Sequence, residues 1–437
     1  MSPQPVSRTP AGAMPRFTTL DDWLVWQEGL HGREIELGLE RCRAVAERLD
    51  LCRPRYAVVS IAGTNGKGSS VAMLDAILSA AGYKVGRYTS PHLVRYNERI
   101  RIAGEAASDA AICAAFDRID QARGEISLTY FEFGTLAALD LFEREQVDVA
   151  LLEVGLGGRL DAVNILDADV ALVATIDIDH VEWLGSDRES IGREKAGIFR
   201  AGRPAVCSDP LPPASLVEHA AELNTDLRLG GRDYGYDADG RGWNWWSGKQ
   251  RYENLPRPNL RGEFQLQNAA GALMVLEMLA PRCPVERTAI DHGLCHLSLP
   301  GRYQEFPGPV TWILDVAHNP QSARVLAETL KVQPIAGRTH FLAGMLRDKD
   351  IGGVFSIVKD LADSWHLASL PPRRGASAAQ LHEQLEALHV TAPVFLHESV
   401  EAACAAMKKQ ARSGDRVLVF GSFLTVAGAA RVLDSSD

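Results

Sequence analysis

The apolar run YAVVSIA at residues 56–62 is followed directly by the glycine-rich segment GTNGKGS at residues 63–69. Val71, Leu74 and Leu78 then recur at the spacing of one helix face, which predicts an amphipathic helix. In a strand–loop–helix unit of this kind, glycines let backbone N–H groups surround phosphate oxygens, and the helix adds its positive dipole end. The order of these three segments therefore predicts a phosphate-binding loop.

Two side chains of this loop suit a nucleoside triphosphate. Lys67 supplies a positive charge for the β- and γ-phosphates, and the Ser69 hydroxyl is placed to lie near a metal ion. Because Gly68 separates them, the strict G-x4-G-K-[ST] spelling is not met. The alternative is a glycine-rich turn that binds no ligand, and we favour the nucleotide site because a strand precedes the loop and a helix follows it.

Further apolar runs without alternation are separated by helical stretches, which predicts an α/β protein with a parallel sheet covered on both faces. A hairpin is predicted at residues 230–247 and a helix at 265–279, before a second α/β series begins. We place a domain boundary near residue 298, giving a flexible tail at 1–20 and domains at 21–297 and 298–437. The other strand candidates lie at residues 85–88, 147–154, 170–176, 204–207, 310–316, 339–345 and 417–420.

The composition of the chain limits which binding partners and which cellular compartment can be expected. The chain has 437 residues and 56 acidic against 46 basic side chains, so its formal net charge is −10. Such a chain lacks the broad positive field that binds nucleic acid backbones. Seven dispersed cysteines without a CxxC pair indicate reduced thiols, and no apolar run approaches the roughly 20 residues that cross a bilayer. We expect a cytoplasmic protein that binds neither nucleic acid nor membrane.

Polar side chains follow several predicted strands and are candidates for metal binding and catalysis. Glu153 ends one strand, Asp179 and His180 end the next, and Asp315 ends a strand of the second series. Carboxylates at one sheet edge suit Mg²⁺, although a buried core charge is the alternative for Glu153 and a structural role the alternative for His180. Spacing alone makes Lys195 an exposed helical lysine.

Nine segments, in the same order, resemble the folylpolyglutamate synthase family of Mur-ligase-like, ATP-dependent amide ligases, and most closely its bacterial bifunctional members that are also dihydrofolate synthases. The resemblance runs from about residue 20 to near the end of the chain. Its segments are GTNGKGS (63–69), SPHLVRYNERIR (90–101), LTYFEFGTLAAL (128–139), EVGLGGRLDAVN (153–164), DHVEWLG (179–185), REKAGIF (193–199), PGRYQ (300–304), DVAHNPQSA (315–323) and FGSFLTVAG (420–428).

The resemblance implies an N-terminal P-loop ATPase-type domain, a smaller C-terminal Rossmann-like domain and an active site between them. It implies that ATP activates a carboxylate as an acyl phosphate, which the amine of L-glutamate then attacks. The acceptors would be dihydropteroate and reduced folates, with ATP and Mg²⁺ required and a monomer expected. A ligase that only lengthens folate tails, a Mur ligase acting on a UDP-sugar peptide, and a P-loop switch or motor ATPase remain as alternatives.

The resemblance also implies roles for individual residues, and its pterin side leaves open whether Tyr130 or Phe131 stacks on the pterin or belongs to the core. Two positions depart from the family: Phe264 stands where a histidine is common, and Glu36 where aspartate is common. The implied ATP contacts are Gly66, Lys67, Gly68, Ser69, Asn268, Arg302 and Asp315. The implied Mg²⁺ ligands are Ser90, Glu153 and His180, and Lys195 matches a lysine that is carbamylated. The implied substrate contacts are Glu36, Leu37, Gly38, Leu39, Leu128, Thr129, Tyr130, Phe131, Arg159, Leu160, Asp161 and, on the glutamate and phosphate side, His318 and Ser422.

Overall fold

A computed structural model describes residues 15–33, 35–239, 242–333 and 335–434. The first sheet that these residues form has eight strands in the order β4-β3-β2-β5-β1-β6-β7-β8. Its strands are β1 (Ala57–Ala62), β2 (Val85–Tyr88), β3 (Ile100–Ile102), β4 (Glu105–Ala106), β5 (Val149–Glu153), β6 (Val170–Val173), β7 (Pro204–Cys207) and β8 (Asp226–Leu229).

The centre of this sheet is parallel, as the apolar runs predict. β1 lies between β5 and β6, and every residue of β1 and β5 is buried. The carboxyl ends of these strands therefore meet at one edge, where the segments that follow them converge. At one side of the sheet β3 pairs antiparallel with β2, and the edge strand β4 pairs antiparallel with β3. Neither strand is predicted from the sequence, because they are only three and two residues long.

Helices cover both faces of the first sheet, and one of them differs from its prediction. α3 (Lys67–Ala80) is buried nearly all round rather than amphipathic, because it packs between the sheet and the helices α9 (Phe264–Leu279) and α10 (Arg287–His296). The helices of this part are α1 (Leu20–Leu30), α2 (Glu40–Arg48), α3, α4 (Asp109–Arg123), α5 (Tyr130–Arg144), α6 (Val181–Leu184), α7 (Arg188–Ala196), α8 (Ala214–Glu222), α9 (Phe264–Leu279) and α10 (Arg287–His296), with 3₁₀ turns at Tyr96–Arg99 and Ala162–Ile165.

The structure describes residues 15–20 of the predicted N-terminal tail, and residues 1–14 lie outside the described residues. Phe17 packs edge-on against Trp23 with ring centroids 5.3 Å apart, and Arg16 pairs with Asp120 at 2.8 Å. Leu20 is buried and begins α1, whose N-cap is Thr19. Apolar and ionic contacts therefore attach the segment 16–20 to the first domain.

The predicted hairpin at 230–247 is present and gains a third strand. β9 (Tyr234–Ala238), β10 (Trp243–Ser247) and β11 (Arg251–Leu255) form an antiparallel sheet. Trp243 and Trp245 alternate with more exposed neighbours and are buried. This small sheet packs on α9, to which the indole of Trp245 donates a hydrogen bond at the Ala270 carbonyl, 3.1 Å away.

The second large sheet has the order β12-β13-β17-β14-β15-β16, with β12 antiparallel and the others parallel. The α/β fold class is therefore confirmed, while the boundary near residue 298 stays a prediction; it falls between α10 and β12. The strands are β12 (Gln304–Phe306), β13 (Thr311–Asp315), β14 (Thr339–Ala343), β15 (Ser364–Ala368), β16 (Val394–His397) and β17 (Arg416–Phe420). The helices are α11 (Pro320–Lys331), α12 (Ile351–Val358), α13 (Ala378–Ala387), α14 (Val400–Gln410) and α15 (Phe423–Asp434), with a 3₁₀ turn at Lys359–Leu361.

Candidate active site

The glycine loop (residues 63–69) lies at the carboxyl end of β1, and its backbone requires glycine at Gly66. This residue has φ +87° and is the N-cap of α3. A Cβ atom at Gly66 would lie only 2.5 Å from Oδ1 of Asn268, a buried side chain on α9. The predicted contact of Asn268 with the nucleotide is therefore compatible with its position, since the side chain closes directly over the loop.

Lys67 begins α3, and its ammonium is turned back onto the loop. Its Nζ donates to the carbonyls of Gly63 and Thr64, at 2.9 and 3.4 Å. Burial lowers the pKa of Lys67, while the nearby carboxylates of Glu153 and Asp179 act in the opposite direction. The loop therefore holds a half-buried cation near the carboxylate of Glu153, at the end of β5, and that of Asp179, in the segment that follows β6.

Arg302 and Asp315 bring the second domain to the same loop. Nη2 of Arg302 would lie 3.9 Å from a Cβ atom at Gly68, and the Arg302 guanidinium lies 5.4 Å from the ring of Phe423. Asp315 ends β13 and accepts the backbone N–H groups of Tyr303 and Ala317, each at 2.8 Å. Burial raises the pKa of Asp315, and the charge of Arg302 opposes this shift.

The three predicted metal ligands all line the cleft beside the loop. Glu153 ends β5 and is buried, and the backbone N–H of Ser90 lies 3.4 Å from its Oε2. Burial raises the pKa of Glu153, and the charges of Lys67 and Arg302 oppose this. His180 caps α6 with φ +53°, and burial together with the charge of Lys349 lowers its pKa to about 4.

Lys195 is buried, which corrects the expectation of an exposed helical lysine. Lys195 lies on α7, is only 3% exposed, and lines the same cleft as Lys67 and Glu153. Burial, and then the charge of Lys67, lower the pKa of Lys195 to about 7. The spacing of residues in the sequence does not predict this burial, because the short helix α7 packs against α8 and the 155–158 loop rather than presenting this face to solvent.

A polar cluster joins the two domains at the cleft. Asp179 contacts Nζ of Lys349 at 2.6 Å, Nε2 of His318 at 3.6 Å and Nδ2 of Asn319 at 3.4 Å. Although burial favours the protonated acid, His318 and the charges of His180 and Lys349 hold the pKa of Asp179 far below its usual value. Lys349 was missed from the sequence; its position soon after β14 ends was the available signal.

The segments that the resemblance predicts to contact the pterin form the other end of the cleft. The backbone N–H of Gly38 donates to Leu160 O at 3.2 Å, and the Phe131 ring lies over Gly155, where a Cβ would come within 2.7 Å of it. Leu37, Gly38, Tyr130, Phe131 and Leu160 all line the cleft, together with Thr129, whose side chain caps α5. Both aromatic rings are therefore accessible from the cleft.

Asp161 and Ser422 are buried and organise backbone at the cleft wall. One oxygen of Asp161 accepts the N–H groups of Gly155 and Leu156, at 3.0 and 2.9 Å. Burial raises the pKa of Asp161 to about 6, against these hydrogen bonds. Ser422 accepts the backbone N–H of Thr425 at 3.1 Å in the first turn of α15. Both residues line the cleft.

Three predicted substrate contacts do not line the cleft. Arg159 points away from it and pairs with Glu194 at 2.8 Å. Leu128 is fully buried in the core under α5, and Leu39 packs against the same core at the start of α2. Glu36 does line the cleft, with its carboxylate held by His31 at 3.1 Å and by Arg41. Phe264, the departure from the family pattern, lines it as well.

These groups share one continuous cleft of about 870 Å³, which is lined from both large sheets. The glycine loop, Glu153 and Lys195 come from the first domain, and Arg302, Asp315 and Ser422 from the second. Its buried lining contains carboxylates, Glu153 and Asp161, together with the side chain of Lys195. Such a site can hold a polyanionic ligand while keeping water from a reacting centre.

The comparisons with known proteins define the class. Residues 61–209 match the Mur ligase middle domain, and residues 301–423 match the Mur ligase, glutamate ligase domain. The fold and the cleft are thus those of a Mur-type amide ligase that joins an acid to an amino acid.

The individual relatives narrow this class. The chain is 46% identical over 430 residues to the dihydrofolate synthase/folylpolyglutamate synthase of Escherichia coli strain K12, covering 98% of each chain. The solved structure of E. coli FolC in complex with DHPP and ADP has a TM-score of 0.91 at 46% identity, covering 97% of this chain and 99% of the other. A bifunctional folylpolyglutamate synthase/dihydrofolate synthase with Mn, AMPPNP and L-glutamate bound has a TM-score of 0.88 at 48% identity, covering 95% and 98%. The chain belongs to the dihydrofolate synthase/folylpolyglutamate synthase family.

Proposed function

We propose that this protein uses ATP to ligate L-glutamate to dihydropteroate, which makes dihydrofolate, and to reduced folates, which lengthens their glutamate tails. The observation that carries this proposal is the cleft itself: a phosphate loop with Lys67 faces Arg302 and Asp315 of a second domain. The family to which the chain belongs and the ligands bound by its relatives, ADP, AMPPNP and L-glutamate, support the same reaction.

The reaction proceeds in two steps whose charge changes match the cleft. The acceptor carboxylate attacks the γ-phosphorus of ATP, the bond to the β-phosphate oxygen breaks, and ADP leaves an acyl phosphate behind. The glutamate amine then attacks the acyl carbon, phosphate leaves, and the amine loses a proton. Lys67 and Arg302 neutralise negative charge on the transferred phosphoryl oxygens, and backbone N–H groups of the glycine loop orient them.

Closure of the second domain over the loop excludes water that would hydrolyse the acyl phosphate. The cluster of Asp179 with His318, Asn319 and Lys349 supports this role, because it joins the domains beside Lys67. A direct pair of asparagines adds to it: Nδ2 of Asn319 lies 3.2 Å from Oδ1 of Asn65 in the glycine loop. In this account Asn268 and Asp315 contact the nucleotide, while His318 and Ser422 lie on the glutamate and phosphate side.

The residues beside the loop fit a hard divalent cation. Mg²⁺ prefers oxygen ligands and takes only one or two carboxylates from protein, with water and phosphate completing its shell. The described residues contain no group of three or more His, Cys, Asp or Glu side chains able to hold a metal by themselves. Ser90, Glu153 and His180 would hold the ion together with the nucleotide. When bound, it would neutralise phosphate charge.

Lys195 is proposed to carry a carbamate. A protonated lysine beside a cation would repel it, whereas a carbamate offers anionic oxygens. The carbamate forms from the neutral amine and CO₂, and burial keeps a larger share of the Lys195 amine neutral near pH 7. We expect the intact mass of the protein, measured under CO₂-containing buffer, to show this addition in wild type and to lack it in Lys195→Ala.

The acceptor is proposed to lie along Leu37, Gly38, Leu160 and Asp161, with Tyr130 or Phe131 against the pterin ring. We further propose domains at 21–297 and 298–437 and a monomer that works in the cytoplasm without nucleic acid or membrane. The net charge of −10 supports the first exclusion. No helix among the described residues is long and apolar enough to cross a bilayer.

The test compares Lys67→Ala with Lys84→Ala, a surface lysine that pairs with Glu145 at 2.9 Å. ATP-dependent incorporation of labelled glutamate is measured with dihydropteroate and, in parallel, with a reduced folate. We expect Lys67→Ala to lose both reactions and Lys84→Ala to retain both. Wild-type rates in folded Lys67→Ala would show that the glycine loop is not the phosphate site.

A further inference from the structure

Three arginines stand around the outer part of the cleft, away from the glycine loop. Arg33 follows α1, and Arg373 and Arg374 lie on the turn between β15 and α13; all three line the cleft. Their side chains are 76%, 67% and 47% exposed. We call these three residues the arginine rim. None of them is accounted for by the phosphate chemistry described above.

The turn that carries two of these arginines is held firmly. Nη2 of Arg347 donates to the carbonyls of Pro372 and Arg373, at 2.7 and 3.0 Å. The backbone N–H of Arg347 also donates to the Arg374 carbonyl at 3.0 Å. A guanidinium that satisfies several carbonyls of one turn fixes its backbone, so the two arginines are presented at a defined place on the rim.

Carboxylates already surround the arginine rim. Arg33 contacts Glu36 at 3.8 Å, Arg373 contacts Glu28 at 3.9 Å and Arg374 contacts Asp348 at 3.9 Å. The Arg373–Glu28 contact joins the second domain to α1 of the first across the cleft mouth. The chemistry gathered here is therefore carboxylate recognition on a surface open to the cleft.

The two classes of acceptor differ in just this chemistry. Dihydropteroate has a single carboxylate, and it is the one that reacts. A folate keeps one unreacted α-carboxylate for each glutamate already attached, so its tail gains one negative charge per cycle. Because the reacting carboxylate must reach the same centre in each case, a longer tail carries the additional charges outward along the cleft.

We propose that the arginine rim binds the α-carboxylates of the existing glutamate tail and thereby makes the enzyme favour folates with longer tails over dihydropteroate as acceptors. This inference rests on the proposed function of the cleft. Arginine suits the task because its planar guanidinium binds carboxylates at two points and stays charged at all working pH values. Glu28 occupies Arg373 when no tail is bound and competes with the tail.

The test measures KM and kcat of Arg373→Gln/Arg374→Gln for dihydropteroate, a monoglutamyl folate and a triglutamyl folate, at low salt. We expect KM for the triglutamate to rise about tenfold, KM for the monoglutamate to rise less and KM for dihydropteroate to rise least, with kcat little changed. Equal changes for all three acceptors would overturn the proposal. Arg251→Gln, an exposed arginine on the small antiparallel sheet, is the matched control.

A second variant separates tail binding from a mere domain contact. If the arginine rim binds the tail, Glu28→Gln removes a carboxylate that competes with the tail for Arg373, so KM for the triglutamate falls or stays unchanged. If the Arg373–Glu28 pair only holds the domains together, Glu28→Gln raises KM for every acceptor, as the arginine variant would, and the proposal fails. Wild type that uses none of the three acceptors refutes the proposed function itself. Wild type that uses all three, with KM values that the rim variants leave unaltered, refutes only the inference.

Discussion

Replacing Gly66 with alanine perturbs the glycine loop at a single carbon atom. Gly66 has φ +87°, and the added Cβ would lie 2.5 Å from Oδ1 of Asn268 and 3.3 Å from Cβ of Ala174. Gly82, in the turn after α3, offers a matched control, since it has φ +91° but no neighbouring atom within 4 Å of an added Cβ. Both substitutions impose the same backbone strain, and only one adds a collision.

The magnitudes separate the two effects. A left-handed backbone costs an alanine roughly 1–2 kcal/mol, so both variants lose about that much free energy of unfolding. For a unit of this size, 1 kcal/mol lowers Tm by about 2–4 °C. Gly66→Ala must in addition displace Asn268, a buried side chain that donates to Gln265 Oε1 at 3.0 Å, and shift the loop backbone. We therefore expect a larger fall in Tm for Gly66→Ala than for Gly82→Ala.

Nucleotide binding gives the sharper readout. Calorimetric titration with ADP should show at least about a tenfold weaker Kd for Gly66→Ala, because loss of one well-placed charged hydrogen bond costs about 1.5 kcal/mol or more. Gly82→Ala should bind ADP as wild type does. If folded Gly66→Ala bound ADP with wild-type affinity, or if Gly82→Ala lost affinity equally, the contact between the loop and Asn268 would have no role in the nucleotide site.

Three further predictions follow from buried charges. Asp179→Asn leaves the ammonium of Lys349, whose side chain is only 7% exposed, without its carboxylate. Denaturant titration should show a loss of about 3 kcal/mol in the free energy of unfolding, most of it recovered in the double variant Asp179→Asn/Lys349→Met. Additive losses in the double variant would contradict the pairing. Burial lowers the pKa of Lys195 from 10.5 to about 7, so the unfolded chain binds more protons than the folded chain between these two pH values. In CO₂-free buffer the free energy of unfolding should therefore rise with pH across that window. Lys195→Met should lose this rise, and an unchanged slope in the variant would refute the prediction. Asp161→Ala leaves the N–H groups of Gly155 and Leu156 without their acceptor, which should cost about 1–3 kcal/mol in thermal unfolding, whereas no loss would show that water replaces the carboxylate.

The sequence predicts the parts of the fold that rest on local patterns. The apolar runs at 85–88 and 204–207 match β2 and β7 residue for residue, and the helix predicted at 265–279 begins one residue early, at Phe264. Elements without a strong pattern were missed. β3 and β4 are too short to show a period, and β16 has two exposed apolar residues, Phe395 and Leu396, on an edge of its sheet.

The site was predictable where chemistry follows a strand end and unpredictable where packing decides. Lys67, Glu153 and Asp315 follow this rule, and the cleft contains all three. Lys195 does not follow this rule, because the burial of its helix face depends on contacts with distant segments of the chain. Arg159 fails in the opposite direction: its motif places the backbone near the cleft, but pairing with Glu194 turns the side chain away.

The net negative charge of the chain contrasts with the cations that line its cleft. ATP, glutamate and both acceptors are anions, and the net charge of −10 does not attract them. Lys67, Arg302 and Lys349 supply the cations of the buried part of the cleft, and the arginine rim supplies those of its mouth. Binding of anions therefore depends on a few local side chains, which is why single substitutions there are informative.

Whether the protein is a glutamate ligase is decided by identifying the products of wild-type protein incubated with ATP, Mg²⁺ and labelled L-glutamate, with dihydropteroate or a reduced folate as the acceptor. We expect a labelled amide product with each acceptor, and one ADP and one phosphate for each bond formed. ATP hydrolysis that proceeds equally without acceptor and glutamate, with no labelled amide, would contradict it.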